Sequence, residues 1–401
     1  MQFEPGTTPA AAFIPLCVPE IRGHEWDYVK ECLDANWVSS SGGYVDRFET
    51  ELARSVGSQH AVATVSGTAA LHLALLVAGV QRDEEVLVSD LTFIAPASAV
   101  RYVGAWPVFM DAESSYWQMD PDKVSDFLSR GCEWRQGSLY NRATRRRVAA
   151  IIAVHILGHP VDLDPILEMA RAYGLKVIED ATESLGAQYK GRSLGQLGDF
   201  GCFSFNGNKV ITTGGGGMLV TDSEESAERA RYLSTHAKDD PVEYVHGAVG
   251  YNYRLTNLQA AMGCAQLEQL DTFVQKKRHI AGEYTRALGE VPGLTPPSEA
   301  TWASSSSWLY TVLVDEAKYG LDSRALLRRL DQEGIQTRPL WQPLHLSPVF
   351  ADCEPIDCAV AEDLYRRALS LPSSVGLTAE QQEHVVEVVS TTAGSSRGGS
   401  A

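Results

Sequence analysis

The fold of this chain is decided by two stretches of sequence, V-I-E-D-A-T-E-S-L-G-A (residues 177–187) and L-G-D-F-G-C-F-S-F-N-G-N-K-V (residues 197–210). Each contains a short apolar run that is typical of a buried strand. The first run ends in Glu179 and Asp180, at the strand end where open α/β sheets place ligand chemistry. The second leads to Lys209 and then to four glycines, which let a backbone approach a ligand closely.

The residue types in these stretches favour covalent cofactor chemistry. A lysine can form a Schiff base with an aldehyde where its surroundings lower its pKa. A carboxylate at a strand end can keep a pyridine nitrogen protonated, which makes the ring an electron sink. Taken alone, Lys209 is better explained as a solvated loop lysine, and Asp180 as a helix cap. Together with Ser204, five residues before the lysine, the pair favours pyridoxal phosphate.

Both stretches resemble the sugar aminotransferases of the DegT/DnrJ/EryC1/StrS family. The runs E-D-A-T-E-S-L-G-A and S-F-N-G-N-K-V-I-T-T-G-G-G-G-M are close to that family's patterns, and the resemblance extends from about Phe13 to about Pro372. It implies the α/β fold of fold type I pyridoxal-phosphate-dependent transferases. In that fold a mostly parallel sheet is covered by helices and accompanied by a smaller C-terminal α+β domain.

The resemblance also implies a role for each candidate site residue. Lys209 would carry the cofactor and act as general acid and base, while Asp180 would pair with the pyridinium nitrogen. Glu183 would lie near the phenolic oxygen, where the family often has Gln or His. The other implied cofactor contacts are Gly67, Thr68 and Ser204 at the phosphate, Phe93 on the ring, and, at the phosphate, Asn252 of the partner subunit. The implied substrate contacts are Arg254, Trp341 and His345, for which a purely structural role is an equal alternative.

An anion site is also predicted from the residues alone. The run Ser66-Gly67-Thr68-Ala69-Ala70 lies between a predicted strand, His60–Val65, and a predicted helix, Leu71–Ala78. A strand, a turn of small residues and a helix N-terminus together offer free backbone N–H groups and a favourable helix dipole to a phosphate. An ordinary N-cap by Ser66 or Thr68 is the alternative.

The rest of the chain predicts alternating strands and helices and two domains. Repeated strand–helix units from His60 to Val220 indicate a mostly parallel sheet. Further strands are predicted at Glu85–Ser89, Ala105–Asp111 and Val148–His155, and helices at Arg22–Ala35, Val45–Ser55, Asp164–Tyr173, Ser223–Leu233 and Thr256 to about Leu270. The segment Leu128–Arg147 is predicted to be a solvated loop.

The predicted domain organisation has four parts. Residues 1–12 are a flexible N-terminus, residues 13–270 are a large cofactor-binding domain with an N-terminal arm, and residues 271–390 are a small domain. The small domain is inferred from a strand at Trp308–Val314 and helices at Ser323–Glu333 and Thr378–Val389. Residues 391–401 are rich in Gly and Ser and predict a disordered tail.

Composition limits the partners and the compartment. The net charge of −17 argues against nucleic acid and against an anionic membrane surface. The seven cysteines are scattered without C-x-x-C spacing, which favours reduced thiols, a cytoplasmic location and no zinc site. His155 and His159 have no cysteine or acidic residue between them, so no metal is predicted. Neither an apolar run of about 18 residues nor a secretory signal is seen.

The predicted activity is transfer of an amino group to a nucleotide-linked 4-keto-6-deoxy sugar, with L-glutamate as the donor. The resemblance favours a UDP- or GDP-linked sugar, with N-acetylated sugars among the candidates, a homodimer, and a product used in cell-surface polysaccharides. Two alternatives stay open. One is a regulatory member that binds pyridoxal phosphate or sugar without turnover. The other is a pyridoxal-phosphate-dependent sugar dehydratase, although a histidine replaces the lysine in those relatives.

Overall fold

The computed structural model describes residues 13–240 and 242–395. The predicted flexible N-terminus, 1–12, and the last six residues of the predicted tail lie outside the described residues. The α-helices are α1 Glu25–Asp34, α2 Gly43–Val56, α3 Gly67–Val77, α4 Ala95–Tyr102, α5 Pro121–Asp126, α6 Leu163–Tyr173, α7 Glu224–Ser234, α8 Asn257–Leu267, α9 Leu270–Leu288, α10 Glu316–Tyr319, α11 Ser323–Gln332, α12 Ala359–Arg367 and α13 Ala379–Ser395.

The strands fall into one large sheet and several small ones. They are β1 His60–Thr64, β2 Glu85–Ser89, β3 Trp106–Met110, β4 Cys132–Arg135, β5 Ser138–Asn141, β6 Val148–Val154, β7 Lys176–Asp180, β8 Gln188–Tyr189, β9 Arg192–Ser193, β10 Phe200–Ser204, β11 Gly217–Thr221, β12 Lys238–Asp240, β13 Val245–His246, β14 Leu294–Thr295, β15 Ala303–Ser304, β16 Tyr310–Val314, β17 Glu354–Ile356 and β18 Ala368–Leu371.

The large sheet has eight strands in the order β1-β11-β10-β7-β6-β2-β3-β17. In this order, each strand from β10 through β7, β6, β2 and β3 to β17 is parallel to the next one. β11 is antiparallel to both β1 and β10. The prediction of a mostly parallel sheet covered by helices is therefore confirmed. Because β7 and β10 are parallel neighbours, their carboxyl ends lie side by side at one edge, with the end of β1 two strands away.

Side chains of the sheet alternate between two helical layers. In β6 all seven residues are buried. Ala150 and Ile152 pack in the cluster that contains residues of α3, α4 and α7, whereas Ile151 and Ala153 pack in the cluster that contains residues of α5 and α6. This alternation follows from the two-residue period of a strand, and it explains why the sequence of β6 is apolar throughout.

The predicted solvated loop Leu128–Arg147 is wrong, because half of this segment is a β-hairpin. β4 and β5 pair antiparallel around Gln136 and Gly137, which both have positive φ angles of 50° and 77°. Two such residues form the type of tight turn that matches the twist of a hairpin. The turn was missed because glutamine at its first position is a weaker signal than asparagine or aspartate. Arg142 and Arg145 form ion pairs with Glu133.

The structure divides the chain differently from the predicted domain boundaries at three places. β17 lies at 354–356, in the predicted small domain, yet it pairs with β3 at the edge of the large sheet. Ile14, in the predicted N-terminal arm, bridges to Ile335 and packs in a hydrophobic cluster with residues of α9, β16, β18 and α13. α13 continues to Ser395, so the predicted disordered tail begins too early at Thr391. Across residues 13–240 and 242–395, no helix has the length and apolarity needed to cross a membrane. All seven cysteine thiols are free.

Glu179 is a fully buried carboxylate that fixes β7 to the segment that follows β9. Its oxygens accept hydrogen bonds from His155 Nε2 at 3.2 Å and from the backbone N–H groups of Gly195, Leu197 and Gly198 at 2.8, 2.6 and 2.7 Å. Burial raises the pKa of Glu179, but the imidazole and the backbone N–H groups outweigh it and hold the pKa below its ordinary value. Glu179 therefore serves the fold, and of the acidic pair at the end of β7 only Asp180 faces the ligand cleft.

We expect Glu179→Gln to lower the free energy of unfolding by about 3 kcal/mol at pH 7, because an amide NH₂ would face buried donors. Urea denaturation measures this loss. Glu168→Gln, on an exposed residue of α6, is the matched control and should change stability by less than about 0.5 kcal/mol. The pKa of Glu179 is lower in the folded state than its ordinary value of 4.5. Its carboxylate therefore stabilises the fold fully above pH 4.5, and this stabilisation is lost as the pH falls through the folded-state pKa. If the difference in free energy of unfolding between wild type and variant does not decrease below that pH, this account is contradicted.

Candidate active site

A cleft of about 330 Å³ opens where β7 and β10 end and α3 begins. It contains eight of the eleven residues predicted as site residues. These are Gly67, Thr68, Phe93, Asp180, Glu183, Ser204, Lys209 and Trp341. The two stretches quoted first therefore meet in space because their strands are parallel neighbours in the sheet.

The turn from β1 into α3 has the geometry of an anion site. Ser66 is the N-cap, and its Oγ accepts a hydrogen bond from Ala69 N at 3.1 Å. Gly67 lies so close to the ends of β7 and β10 that an added Cβ would come within 2.9 Å of Ser204 Cβ and 3.0 Å of Thr182 Cγ2. The N–H groups that start a helix have no intrahelical acceptor. The N-cap and the anion site are thus features of one turn and do not exclude each other.

Asp180 presents a buried carboxyl group to the cleft. Its side chain is almost inaccessible to solvent, and Oδ1 accepts a hydrogen bond from Thr182 N at 3.1 Å. Burial raises the pKa of Asp180, and the Thr182 donors and the charge of Lys209 oppose that rise. Among the described residues, Asp180 forms no ion pair. A cationic ring nitrogen in the cleft would supply the charge that a buried carboxylate requires.

Lys209 lies between a carboxylate and an aromatic ring. Its Nζ is 3.4 Å from Glu183 Oε1 and 4.1 Å from the centroid of the Trp308 ring. The Trp308 indole Nε1 donates to the carbonyl oxygen of Asn208, the residue before the lysine, at 2.6 Å. The ring attracts the ammonium group through its electron-rich face. The amine is therefore held at the wall of the cleft, next to the groups that a cofactor would contact.

Glu183 is held by a backbone segment of unusual conformation. Leu157 donates its N–H to Glu183 Oε2 at 3.0 Å, and Leu157 has φ of 59° and ψ of 7°. The left-handed region is costly for a leucine, so the surrounding structure must impose this conformation. Burial raises the pKa of Glu183, while Lys209 and the Leu157 N–H lower it. A Gln at this position would lose the charge that faces Lys209 but would keep an acceptor for Leu157.

These features fit pyridoxal phosphate on three grounds. The N-terminus of α3 suits a phosphate, the unpaired carboxyl group of Asp180 suits a pyridinium nitrogen, and the amine of Lys209 faces the space between them. The Phe93 side chain is 55% exposed and lines the same cleft, so its ring is free to cover a planar ligand. The cofactor roles of the individual residues stay predictions.

Three predicted residues do not line this cleft. Asn252 is exposed and bridges to Thr235. Arg254 forms ion pairs with Glu49 at 3.3 Å and Asp46 at 3.7 Å, which tie the loop before α8 to α2. His345 places its ring nitrogens 2.7 Å from Asp90 Oδ2 and 3.3 Å from Glu362 Oε1. Within this single chain, Arg254 and His345 have structural partners, and their predicted contacts with substrate are not formed by the cleft walls.

Each of the histidines considered for a metal uses both ring nitrogens in hydrogen bonds to the protein. His155 donates from Nε2 to Glu179 and accepts from Val161 N at 3.0 Å. His159 donates from Nδ1 to Pro160 O at 2.8 Å and accepts from Ala300 N at 3.1 Å. Burial lowers the pKa of His159 to about 4, so this ring is neutral at pH 7.

Three residues that shape the site were missed from the sequence. Trp308 was assigned to the start of a strand, Leu157 to a connecting segment, and Asn208 only to a motif. Trp308 forms its hydrogen bond with Asn208 from a position 100 residues further along the chain. No local pattern marks such a contact. The left-handed conformation of Leu157 is also unreadable, because leucine seldom adopts it.

Comparison with known proteins gives a consistent result. A model of the DegT/DnrJ/EryC1/StrS aminotransferase family matches residues 19–390. The GDP-perosamine synthase of Escherichia coli O157:H7 is 37% identical, with 94% of this chain and 98% of that protein covered. The GDP-perosamine synthase of Caulobacter vibrioides is 38% identical, with 93% and 96% covered. The crystal structure of DesI in the presence of its TDP-sugar product has a TM-score of 0.85 at 29% identity and covers 97% of this chain and 95% of that chain.

Proposed function

The chain belongs to the DegT/DnrJ/EryC1/StrS aminotransferase family and is a pyridoxal-phosphate-dependent sugar aminotransferase, and from that premise we propose its substrates. The acceptor is a nucleotide-linked 4-keto-6-deoxy sugar, and the donor is L-glutamate. The ketone of the sugar becomes a primary amine, while glutamate becomes 2-oxoglutarate. The observation that carries the proposal is the cleft that joins Asp180, Lys209 and the α3 N-terminus. The names of the GDP-perosamine synthases and of the DesI complex support the nucleotide-sugar class.

The residues of the cleft divide the work of such a reaction. Pyridoxal phosphate, when bound, supplies an aldehyde carbon and an electron-withdrawing ring that hold the amino group between the two half-reactions. Asp180 keeps a positive charge on the ring nitrogen. Lys209 would bind the cofactor covalently, and its free amine would then serve as the general acid and base that moves a proton. Glu183, 3.4 Å from the Lys209 amine, holds that amine on the cleft wall.

The remaining residues bind and orient. Gly67, Thr68 and Ser204 line the cleft and would hold the phosphate, and the exposed ring of Phe93 would cover one face of the cofactor. Trp341 lines the same cleft, which supports its proposed contact with the substrate. Binding and orientation convert a reaction between separate molecules into one within a single complex, which supplies much of the rate increase.

A transamination assay tests this function. The cofactor-loaded protein is incubated with GDP-, UDP- or TDP-linked 4-keto-6-deoxy sugars, each with L-glutamate, L-glutamine or L-aspartate. Formation of the keto acid and of the amino sugar is followed by chromatography and mass spectrometry. We expect turnover with one nucleotide class and with L-glutamate. Absence of turnover with every pair, in protein that holds the cofactor on Lys209, would overturn the proposal and favour the regulatory alternative. Loss of water from the sugar without amine transfer would favour the dehydratase alternative.

We also propose that the active unit is a homodimer in which Asn252 of the partner subunit contacts the cofactor phosphate. The support is the exposed position of Asn252 outside the cleft of its own chain. Lys209→Ala and Asn252→Ala proteins are each expected to have little activity. After subunit exchange in an equal mixture, half of the dimers are hybrids with one intact site. Activity should therefore return to about a quarter of the wild-type value.

The control for the mixing experiment combines Lys209→Ala with Asp180→Asn. Lys209 and Asp180 of one chain line the same cleft, so each site of that hybrid keeps one lesion and no activity should return. Recovery in the control mixture, or no recovery in the test mixture after exchange is demonstrated by labelled subunits, would contradict a shared site.

A further inference from the structure

Lys277 is a buried lysine of α9 that the reaction does not use. The residue is 2% exposed, and it does not line the cleft. Its Nζ donates to the carbonyl oxygens of Ser373 at 2.7 Å and Trp308 at 3.0 Å, and it lies 3.8 Å from Cys17 Sγ. A lysine ammonium has three donors, so all of them have partners. Among the described residues, no carboxylate forms an ion pair with Lys277.

A buried ammonium without a counter-charge is costly, because it has lost its hydration. Burial lowers the pKa of Lys277, and Cys17 opposes that shift. An apolar side chain would fill the same space without this cost. The ammonium group instead forms directional hydrogen bonds, and each N–H bond fixes the position of one acceptor. The carbonyl groups of Trp308 and Ser373 come from two different segments, and Lys277 joins them.

Trp308 connects the two lysines. Its carbonyl oxygen accepts from Lys277, its ring lies 4.1 Å from Lys209 Nζ, and its indole N–H binds Asn208 O. A second path reaches the same peptide group, because Cys17 Sγ donates to Asn208 O at 3.2 Å. Lys277 thus contacts both residues that hold the peptide preceding Lys209, and it lies on the side away from the cleft.

We propose that Lys277 is a positioning residue that acts on Lys209 through Trp308, an inference that rests on the proposed cofactor-binding role of Lys209. The Lys277 hydrogen bonds fix the backbone of Trp308, and the indole then fixes both the Lys209 ammonium and the peptide before it. The amine is held where it can attack the cofactor aldehyde. Without the Lys277 ammonium, the indole can shift and the amine is presented less often in the reactive position.

The test measures capture of the cofactor by the apoprotein, followed through the visible absorbance that develops on adding pyridoxal phosphate. Lys277→Met removes the donors, and Trp308→Leu removes the ring. Each is expected to slow capture about tenfold, because small displacements of a reacting group cost at least that much. In the loaded Lys277→Met enzyme kcat should fall while KM for the sugar nucleotide stays unchanged, since Lys277 does not line the cleft. Lys276→Met, on the partly exposed neighbour in α9, should leave both rates at the wild-type values.

A double-mutant cycle decides whether Lys277 acts through Trp308. Combining Lys277→Met with Trp308→Leu should slow capture by much less than the product of the two single effects, because only the contact through Cys17 then remains. Multiplication of the two effects, or a normal capture rate in folded Lys277→Met protein, would overturn the proposal. If circular dichroism shows that Lys277→Met does not fold, Lys277→Gln takes its place in the same cycle. Its amide keeps N–H donors without the charge, so a rate between those of wild type and Trp308→Leu supports positioning, and a wild-type rate overturns it.

Borohydride reduction separates this inference from the proposed function. In wild type and in every variant above, the reduced label should map to Lys209. A label on another lysine would refute the role of Lys209 itself. A label on Lys209 with unchanged capture kinetics would refute only the positioning role of Lys277.

Discussion

Lys209→Ala removes transamination while the protein stays folded. The amine is needed twice, first to bind the cofactor covalently and then to move the proton, so we expect kcat to fall by at least about 10⁴-fold. The fold should survive because Glu183, left without its cation, can take up a proton, and burial already raises the pKa of that carboxyl group. Keto acid formation from L-glutamate and circular dichroism measure the two effects.

Lys190→Ala is the matched control for this variant. Lys190 is exposed and pairs with Asp164, away from the cleft, so its removal should leave turnover and the reduced label unchanged. Wild type should carry the borohydride label on the peptide that contains Lys209, and Lys209→Ala should lose it. Substantial turnover in Lys209→Ala would show that the covalent role belongs to a different residue.

The second large effect is expected from Asp180→Asn, which should keep the cofactor but lose about 10²- to 10³-fold in kcat. The amide oxygen can still accept the Thr182 N–H, so the end of β7 should remain in place. What disappears is the negative charge that keeps the ring nitrogen protonated, and with it the electron-withdrawing power of the cofactor. Cofactor occupancy is measured by absorbance after gel filtration, and kcat by keto acid formation.

Glu183→Gln provides the comparison for Asp180→Asn. It also removes a buried carboxylate from the same cleft, but the amide can still accept the Leu157 N–H. We expect a loss of less than about tenfold. If both variants lose activity equally, the effect of Asp180 reflects charge in the cleft as a whole and not a specific partnership with the ring nitrogen.

Features with a local pattern could be predicted from the sequence, and features assembled from distant segments could not. The parallel sheet could be predicted from the apolar strands with short connections. The centre of the site could be predicted from the acidic end of β7 and the lysine after β10. Trp308 and Lys277 carry no local signal, because their roles arise only when α9 and the segment before β16 pack behind Lys209. Arg254, a loop residue predicted to bind substrate, has carboxylate partners in its own chain, and its contact with substrate stays a prediction.

Strand pairing at the edge of the large sheet affects how the protein folds during synthesis. β1 pairs with β11, through partners such as His60 and Thr221, so its place in the sheet can form only after more than half of the chain has been synthesised. Loop closure of this length makes folding slow and leaves apolar strands exposed during translation. The wall behind Lys209 comes later still, with Trp308 and then Ser373. The complete wall behind Lys209 therefore forms only after most of the chain has been synthesised.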